Sequence, residues 1–513
     1  MKNFTKFLLI FLICAVSAQV EGQERRYLEE VFDDVVVSGL VPMGENYTIL
    51  NWIATQGQAN TLRQPLVGLF YSPEGDTETD RPLVIYFHTG NFFPYPANGS
   101  CGGTIGDSSN VEIATRLAKM GYVVAVVNYR QGWNPFDQNE LVRRFFLINA
   151  AYRGVQDVST YVRYFRRSVD EFGNPHGINP DKITVWGQGT GGYLSLNAAY
   201  LKRYNQILTT SDPSKFILPT GGGPIPMVLE PYNGTIDATG PITVVDASYN
   251  MLTQLPIGDT LTIPNHVGYS SDFALTVNMG GALGDSTWIE AGDIPVISFH
   301  VTSDDLAPCE TDVLNVPTPL GPQPVVEVTG SCGVARIAER LGINAIFDNI
   351  PAEEDPYGQF NTTGLSGFYA FNNTPDNSSS PWEWAGSDNP PAICNQDPAI
   401  AKVYIDTIIG YFAPRAYIAL SLGEFISVKE PILPDAELRA IPNPAHSQIL
   451  VSTTSAEPIR EITMMDINGK VVKSYRNVDN QFFTVHRNDL AAGVYMLHAR
   501  MDKGVITKKI IFQ

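Results

Sequence analysis

Asn179-Pro-Asp-Lys-Ile-Thr-Val-Trp-Gly-Gln-Gly-Thr-Gly-Gly-Tyr193 is the most informative segment of this sequence. The apolar, β-branched run from Lys182 to Trp186 predicts a buried strand. The glycines that begin at Gly187 predict a sharp turn, and a helix is expected to begin near Thr190. A strand that enters a tight turn and leaves as a helix is typical of α/β proteins.

Further strands and helices alternate around this segment. Three continuous apolar runs predict buried parallel strands, and two segments have helical spacing. The strands are predicted at Pro82–His88, Tyr122–Asn128 and Ile294–His300, and the helices at Asn110–Met120 and Asn139–Val169. This alternation predicts an α/β fold with a doubly wound, mostly parallel sheet. Residues 205–290 are rich in loops, and we expect them to form an insertion over the sheet edge, such as a cap.

The glycine-rich turn resembles the nucleophile elbow of the α/β-hydrolase superfamily, of the carboxylesterase and lipase type. The family pattern is G-x-S-x-G, in which the serine is the nucleophile. The sequence here is Gly187-Gln-Gly-Thr-Gly191, so glycine, Gly189, stands at the nucleophile position. The resemblance covers roughly residues 35–415 and implies the α/β-hydrolase fold. The alternative to a nucleophile elbow is an ordinary glycine-rich turn, of a kind that can also bind phosphate groups.

The earlier segment His88-Thr-Gly-Asn91 resembles the H-G-G oxyanion loop of the same family. The resemblance implies that backbone N–H groups of Gly90 or Asn91, with that of Thr190, aim at a developing oxyanion. His88 ends a predicted strand, where a histidine usually has a structural role, and it is also a candidate ligand contact. Thr190 is a candidate displaced nucleophile, although it lies one residue from the family's position.

The triad acid is expected just after the strand at Ile294–His300. The segment from His300 to Pro308 resembles the family's H-G-x-x-D-x-x-V-P, which implies that Asp304 occupies the acid position, with Asp305 as the alternative. The histidine should follow the acid in the chain, close to Ser378–Trp384, and that segment contains none. The histidines that do follow Asp304 are His446, His486 and His498, all near the C-terminus.

Two of the three triad positions are therefore vacant, and the sequence predicts a pseudohydrolase. Glycine cannot form an acyl-enzyme, and without a histidine no base activates a hydroxyl. In subtilisin, loss of the nucleophile lowers the rate about 10⁶-fold, roughly 8 kcal/mol. Glycine also relieves the strained backbone of an elbow, so we expect Gly189→Ser to lower stability slightly. We expect the protein to bind a hydrophobic or ester-like ligand or to act as an extracellular interaction domain.

Two other functions stay open. The protein could be an active extracellular ester hydrolase with a rearranged triad, in which case His88 or His266 should lie within about 3–4 Å of the elbow and of Asp304. It could also be a structural surface protein without a ligand. The net charge of −19 disfavours a nucleic-acid partner. Since no known metal-ligand spacing is present, we expect neither a metal nor a cofactor.

The last 75 residues differ from the rest. Residues 439–513 carry ten basic and six acidic side chains, and the turn signal Asp466-Ile-Asn-Gly469 between short strands predicts a small β-sandwich. Residues 439–513 resemble a type A sorting domain of the Bacteroidetes type IX secretion system. The resemblance also rests on the segments Ile441-Pro-Asn-Pro444 and Leu490-Ala-Ala-Gly-Val-Tyr495. The resemblance implies recognition by that secretion machinery at the outer membrane and removal of the sorting domain at the cell surface. An accessory or carbohydrate-binding module is the alternative.

The N-terminus has the pattern of a secretory signal peptide, residues 1–18, with Lys2 and Lys6 before an apolar run. We expect a hydrolase-like domain at 24–420, a linker at 421–438 and the sorting domain at 439–513. No later run is apolar enough to predict a membrane span.

Cleavage after residue 18 would remove Cys14, so four of the five cysteines would remain. An even number in an oxidising compartment predicts two disulfides. We favour Cys309–Cys332, which closes a short loop, and Cys101–Cys394. Four reduced thiols are the alternative.

Overall fold

The structure, a computed structural model, describes residues 25–50, 59–95, 98, 101–133, 135, 137–316, 322–372, 374, 379–384, 397–423, 425, 437–466, 471–488, 490–502 and 504–513. The chain divides into two compact units, Met1–Phe425 and Ile426–Gln513. The predicted signal peptide, most of the predicted linker and Cys394 lie outside the described residues. The domain boundaries given above therefore stay predictions.

The described strands of the first unit are β1 (Val35–Val37), β2 (Val41–Leu50), β3 (Asn60–Pro73), β4 (Arg81–Phe87), β5 (Val123–Val127), β6 (Ile178–Gln188), β7 (Ile217–Thr220), β8 (Gly223–Pro226), β9 (Thr243–Val244), β10 (Thr260–Thr262), β11 (Leu275–Met279), β12 (Ala282–Leu283), β13 (Val296–Val301), β14 (Thr311–Val316), β15 (Gln323–Gly330) and β16 (Phe368–Phe371). Its helices are α1 (Ser108–Lys119), α2 (Glu140–Glu171), α3 (Thr190–Tyr200), α4 (Tyr204–Leu208), α5 (Glu230–Asn233), α6 (Ala247–Thr253), α7 (Ser331–Leu341) and α8 (Pro398–Ala419). Short 3₁₀ turns lie at Ser286–Trp288, Ala345–Asn349, Ala352–Glu354 and Gly358–Phe360.

A single large sheet organises this unit. Its strand order is β1-β3-β5-β4-β6-β11-β13-β16, and β2 pairs with β3. The neighbours from β5 to β16 run parallel, whereas β3 is antiparallel to β5. The predicted α/β fold with a mostly parallel sheet is confirmed.

Helices cover both faces of the sheet, which explains why its central strands are apolar throughout. Leu83, Ile85 and Phe87 of β4 belong to the hydrophobic core that also contains residues of α2 and α3. Val84 and Tyr86 point to the other face, where they share a core with residues of α1 and α8. Alternate residues of one strand thus fill two separate cores, as expected for a doubly wound sheet.

The expectation that residues 205–290 form only an insertion was wrong at their C-terminal end. Strand β11 lies in the middle of the sheet, between β6 and β13. Its sequence, Leu275-Thr-Val-Asn-Met279, has two polar residues and therefore no continuous apolar run. All five residues are buried, and Asn278 is satisfied because its Nδ2 donates to Ser331 Oγ at 2.8 Å and its Oδ1 accepts from Gly281 N at 2.8 Å.

The preceding part of this region does form small additional elements. Strands β7 and β8 pair with each other, as do β9 and β10. Met227, Val245, Tyr249, Leu255 and Leu261 form a small core of their own with Ile49 and Phe145.

The second unit contains β17 (Leu438–Ile441), β18 (Gln448–Thr453), β19 (Ile459–Met465), β20 (Val471–Asn480), β21 (Phe482–His486), β22 (Gly493–Met501) and β23 (Gly504–Phe512). They form two sheets, β17-β18-β21 and β20-β19-β22-β23, which share one hydrophobic core. This arrangement confirms the predicted β-sandwich. The turn at 467–469 lies outside the described residues, and the strands on either side of it pair antiparallel.

Cys309 and Cys332 form a disulfide, as predicted. Cys101 is also disulfide-bonded, and its predicted partner, Cys394, is not among the described residues. In the part of the chain that the structure describes, no helix is both long and apolar enough to cross a bilayer.

Candidate functional site

The turn between β6 and α3 has the geometry of an elbow. Gly189 has φ 55° and ψ −118°, a conformation that favours glycine, and α3 begins at the next residue. The N–H of Gly189 donates to the carbonyl of Met279 on β11 at 2.7 Å. A Cβ on Gly191 would lie 2.1 Å from the carbonyl oxygen of Phe87, so the close approach of helix and strand requires glycine there as well.

The side chain of Thr89 occupies the space beside Gly189. A Cβ built on Gly189 would lie 2.1 Å from Thr89 Oγ1 and 2.9 Å from Thr89 Cβ. A serine at position 189 therefore requires Thr89 to move. In the sequence, Thr89 stands where the H-G-G pattern has its first glycine. Its contact with Gly189 could not be predicted, because the two residues are one hundred positions apart.

The predicted oxyanion groups lie near this elbow. Gly90 has φ 135° and Asn91 has φ 54°. The side-chain NH₂ of Asn91 donates to the backbone carbonyl of Asn98 at 2.9 Å, and the backbone carbonyl of Asn91 accepts from Trp133 Nε1 at 2.9 Å. As the first residue of α3, Thr190 has a backbone N–H without an intrahelical acceptor. These N–H groups stay predictions for an oxyanion site.

The hydroxyl of Thr190 is buried and already bonded. It lies 2.8 Å from the hydroxyl of Tyr129, which also donates to the carbonyl of His88 at 3.2 Å. Burial raises the pKa of Tyr129 far above its usual value, so this phenol does not act as a base near neutral pH. Thr190 therefore lacks the activated partner that a nucleophile needs.

Two cavities meet at the elbow. The elbow cavity, about 500 Å³, is lined by residues that include Thr89, Asn91, Gly189, Thr190, Asp304 and Glu383. It thus brings together four of the residues that the sequence assigned to the site. The adjoining apolar cavity, about 920 Å³, shares Asn91, Thr190, Tyr193 and Leu306 with it and is otherwise lined mostly by aliphatic and aromatic side chains.

Asp304 is held by the loop that follows β13. Its Oδ1 accepts the backbone N–H groups of Leu306 and Ala307 at 2.7 and 3.1 Å. Burial raises the pKa of Asp304 to about 7, despite these two hydrogen bonds. The side chain therefore holds a proton over much of the acidic range.

Glu383 is a second buried carboxyl in the elbow cavity, and the sequence analysis did not predict it. It is 6% exposed, and its Oε1 accepts a hydrogen bond from Gln188 Nε2. Burial, followed by the charge of Asp107, raises its pKa to about 8. Glu383 lies within the Ser378–Trp384 segment where the triad histidine was expected. The sequence feature that could have indicated Glu383 is its position as an acidic residue between Trp382 and Trp384.

None of the histidines of the first unit lines the elbow cavity. His300 is wholly buried, its Nδ1 lies 2.7 Å from Ser331 Oγ and its Nε2 lies 3.1 Å from the carbonyl of Ala307. Burial lowers the pKa of His300 to about 4. Both ring nitrogens are thus engaged in structural contacts.

His88 and His266 are the two histidines that a rearranged triad would use, and the ring of each contacts a backbone carbonyl instead. His88 is 3% exposed, and its Nδ1 lies 2.5 Å from the carbonyl of Thr89, so the ring offers little surface to a ligand. His266 Nε2 lies 2.6 Å from the carbonyl of Met43. All four histidines of the first unit, including His176, are described, and none lines either cavity. No group of three or more His, Cys, Asp or Glu residues in the described ranges could hold a metal ion.

Comparisons with known proteins agree with this architecture. Residues 70–314 match the BD-FAE family model, and residues 439–513 match the model of a secretion system C-terminal sorting domain. The first match contains the elbow, the predicted oxyanion segment and Asp304. No curated protein matches the chain.

Similar solved structures include esterase 2 of Thermogutta terrifontis in several states. The propionate-bound form is 15% identical, with 68% of this chain and 91% of that chain covered and a TM-score of 0.33. The apo form is 17% identical, with coverages of 48% and 70% and a TM-score of 0.27. The form phosphonylated by cyclosarin is 16% identical, with coverages of 53% and 73% and a TM-score of 0.28.

Proposed function

We propose that this chain, an esterase-like α/β-hydrolase of the BD-FAE type joined to a type IX sorting domain, is a secreted pseudohydrolase. The sorting domain directs export to the cell surface or the extracellular space. There, the elbow cavity and the apolar cavity would bind a small hydrophobic or ester-like ligand without hydrolysing it.

The observation that carries this proposal is the pairing of Gly189 with Thr89. Gly189 has the backbone conformation of an elbow residue but no side chain, and Thr89 fills the space where a Cβ would lie. A nucleophile is therefore missing, and there is no room for one without rearrangement. This favours a protein that has adapted to the loss of the nucleophile.

The state of the possible bases supports the same proposal. Acyl transfer needs a base within hydrogen-bond reach of the nucleophile. Neither cavity is lined by a histidine of the first unit, and the carboxyls of Asp304 and Glu383 already accept hydrogen bonds from the backbone and from Gln188. The apolar cavity adjoins the elbow cavity, and its presence there favours a function in ligand binding.

Turnover of short-chain nitrophenyl esters tests the proposal. We expect the full chain to hydrolyse nitrophenyl butyrate about 10⁶-fold more slowly than an active serine esterase at equal concentration, because loss of the nucleophile costs a factor of that size. Titration with octanol tests separately whether the chain binds a hydrophobic ligand. Octanol should bind, and an alcohol with a longer alkyl chain should displace it.

An active hydrolase with a rearranged triad is the second candidate, and one observation favours it. The hydroxyl of Thr89 lies where the side chain of a nucleophile would begin. If robust turnover is found, Thr89→Val and Thr190→Ala identify the hydroxyl responsible. Loss of turnover in either variant would replace the pseudohydrolase by this alternative.

A further inference from the structure

We propose that the ligand of these cavities is a cationic amphiphile, an alkylamine whose ammonium head lies in the elbow cavity and whose chain lies in the apolar cavity. The inference rests on the proposed ligand-binding function and specifies its ligand class. It differs from a neutral ester in the charge of the head group.

The open space in front of Gly280 is the proposed place of the ammonium head. Gly280 lines the elbow cavity, and a Cβ built on it would meet just two atoms within 4 Å. These atoms are Asp304 Oδ2 at 3.7 Å and Cζ2 of Trp382 at 3.9 Å. A carboxylate oxygen attracts an ammonium ion through a charge-assisted hydrogen bond, and an indole ring attracts one that lies over its face.

A second carboxyl strengthens this preference. Glu383 lines the same cavity, and its charge and that of Asp304 repel each other. Among the described residues that line the two cavities there is no lysine, arginine or histidine. Since the carboxyls have no cation to compensate them there, an ammonium head is favoured and a fatty-acid carboxylate is repelled.

One buried polar atom in these walls has no hydrogen-bond partner among the described residues. It is the hydroxyl oxygen of Tyr193, which lines both cavities. Buried polar groups are normally satisfied. The Tyr193 oxygen is therefore available to accept from a ligand N–H.

The charge of the site depends on pH through groups on several elements. Asp304 is faced by Asp305, Glu383 and the phenol of Tyr193, and Glu383 by Asp107 and the phenol of Tyr86. The pKa values of Asp304 and Glu383 are raised to about 7 and about 8. Both carboxyls are therefore mostly protonated at pH 6 and mostly ionised at pH 9.

Calorimetric titration of the full chain with octylamine, octanol and octanoate tests the inference. Octylamine stays protonated to pH 9, because alkylammonium groups titrate near pH 10.4. At pH 9 we expect octylamine to bind at least about tenfold more tightly than octanol, and octanoate to bind most weakly. At pH 6 the preference for octylamine over octanol should fall to about threefold or less.

Isosteric variants locate the effect. Glu383→Gln and Asp304→Asn keep the oxygens that accept from Gln188 and from the backbone, so both should fold, which a melting curve checks. Each should lower the octylamine preference at pH 9 about tenfold. The matched control Glu353→Gln removes an exposed carboxylate and should change nothing.

The outcomes separate the inference from the function on which it rests. Equal affinity for octylamine and octanol at pH 9, or a preference unchanged in both variants, overturns the cationic head while ligand binding stands. Absence of binding by all three compounds overturns the inference and the ligand-binding function together.

Discussion

At the scale of single residues, Gly189 and the side chain of Thr89 are complementary in their packing. A threonine in an oxyanion loop crowds the elbow, and a glycine at the elbow provides the room for it. Each residue departs from the hydrolase pattern, and the two departures together keep the core packed. The glycine at position 189 is thus matched to the packing of Thr89 beside it.

Replacing Gly189 by serine should destabilise the fold more than a simple change of backbone preference would. The positive φ costs about 1–3 kcal/mol for a residue with a Cβ, and the clash with Thr89 adds a similar amount. We expect the free energy of unfolding in urea to fall by roughly 2–6 kcal/mol. This exceeds the slight loss that the sequence alone suggested, because the contact with Thr89 was unknown.

Gly173 provides the matched control for this experiment. It has φ 72° and no atom within 4 Å of a Cβ, so Gly173→Ser measures the backbone effect alone. Thr89→Gly should recover part of the loss in Gly189→Ser and none in Gly173→Ser. Equal losses in the two serine variants would contradict the packing account.

The two buried carboxyls predict how stability depends on pH. The folded chain binds their protons up to about pH 7 and 8, whereas in the unfolded chain Asp and Glu ionise near pH 4. Because the native state binds more protons in this window, the contribution of both groups lowers the free energy of unfolding as the pH rises from about 4 to 8.

Denaturation in urea at a series of pH values measures this contribution. Asp304→Asn and Glu383→Gln should each flatten the decrease and raise the stability at pH 8 relative to the unchanged chain. A pH profile that keeps its slope in both variants would show that neither group carries a raised pKa.

At the scale of elements, the sequence predicted those strands that are apolar on both faces. β4 and β5 contain continuous apolar runs, so their burial was evident. β11 alternates apolar and polar residues, and its polar side chains are satisfied by distant groups such as Ser331. Pattern alone cannot reveal partners of this kind, and the strand was missed.

The residues of the candidate site were also predicted only where a local pattern marks them. Gly189, Thr190, Asn91 and Asp304 lie in contiguous motifs, and the fold brings them to one cavity. Glu383 has no motif of its own, and Gln188, its partner, is 195 positions away. Long-range contacts of this kind follow from the sheet topology and not from local spacing.

The disulfide Cys309–Cys332 connects the loop after Asp304 to helix α7. It closes a loop with a sequence separation of 23 residues. Replacing both cysteines by alanine should lower the free energy of unfolding by about 3 kcal/mol. The same double variant should bind octanol more weakly, because Leu306 lines both cavities in this loop. A stability unchanged in urea would contradict a structural role for this bond.

At the scale of the whole molecule, the chain combines a C-terminal sorting domain with an α/β domain for which we propose ligand binding. The two units have separate hydrophobic cores. A chain that ends at residue 438 should therefore keep its thermal transition and its octanol binding while it fails to reach the cell surface. Fractionation of cells that produce both forms measures the difference, and export of the shortened chain would contradict the role of residues 439–513.

The absence of a nucleophile is the central claim, and intact-mass spectrometry after exposure to a fluorophosphonate tests it most directly. Such reagents form a stable adduct with an activated serine or threonine hydroxyl. We predict that the mass of the full chain stays unchanged while an active serine esterase in the same tube is labelled. An adduct that maps to Thr89 or Thr190 would contradict the account and establish an active hydrolase.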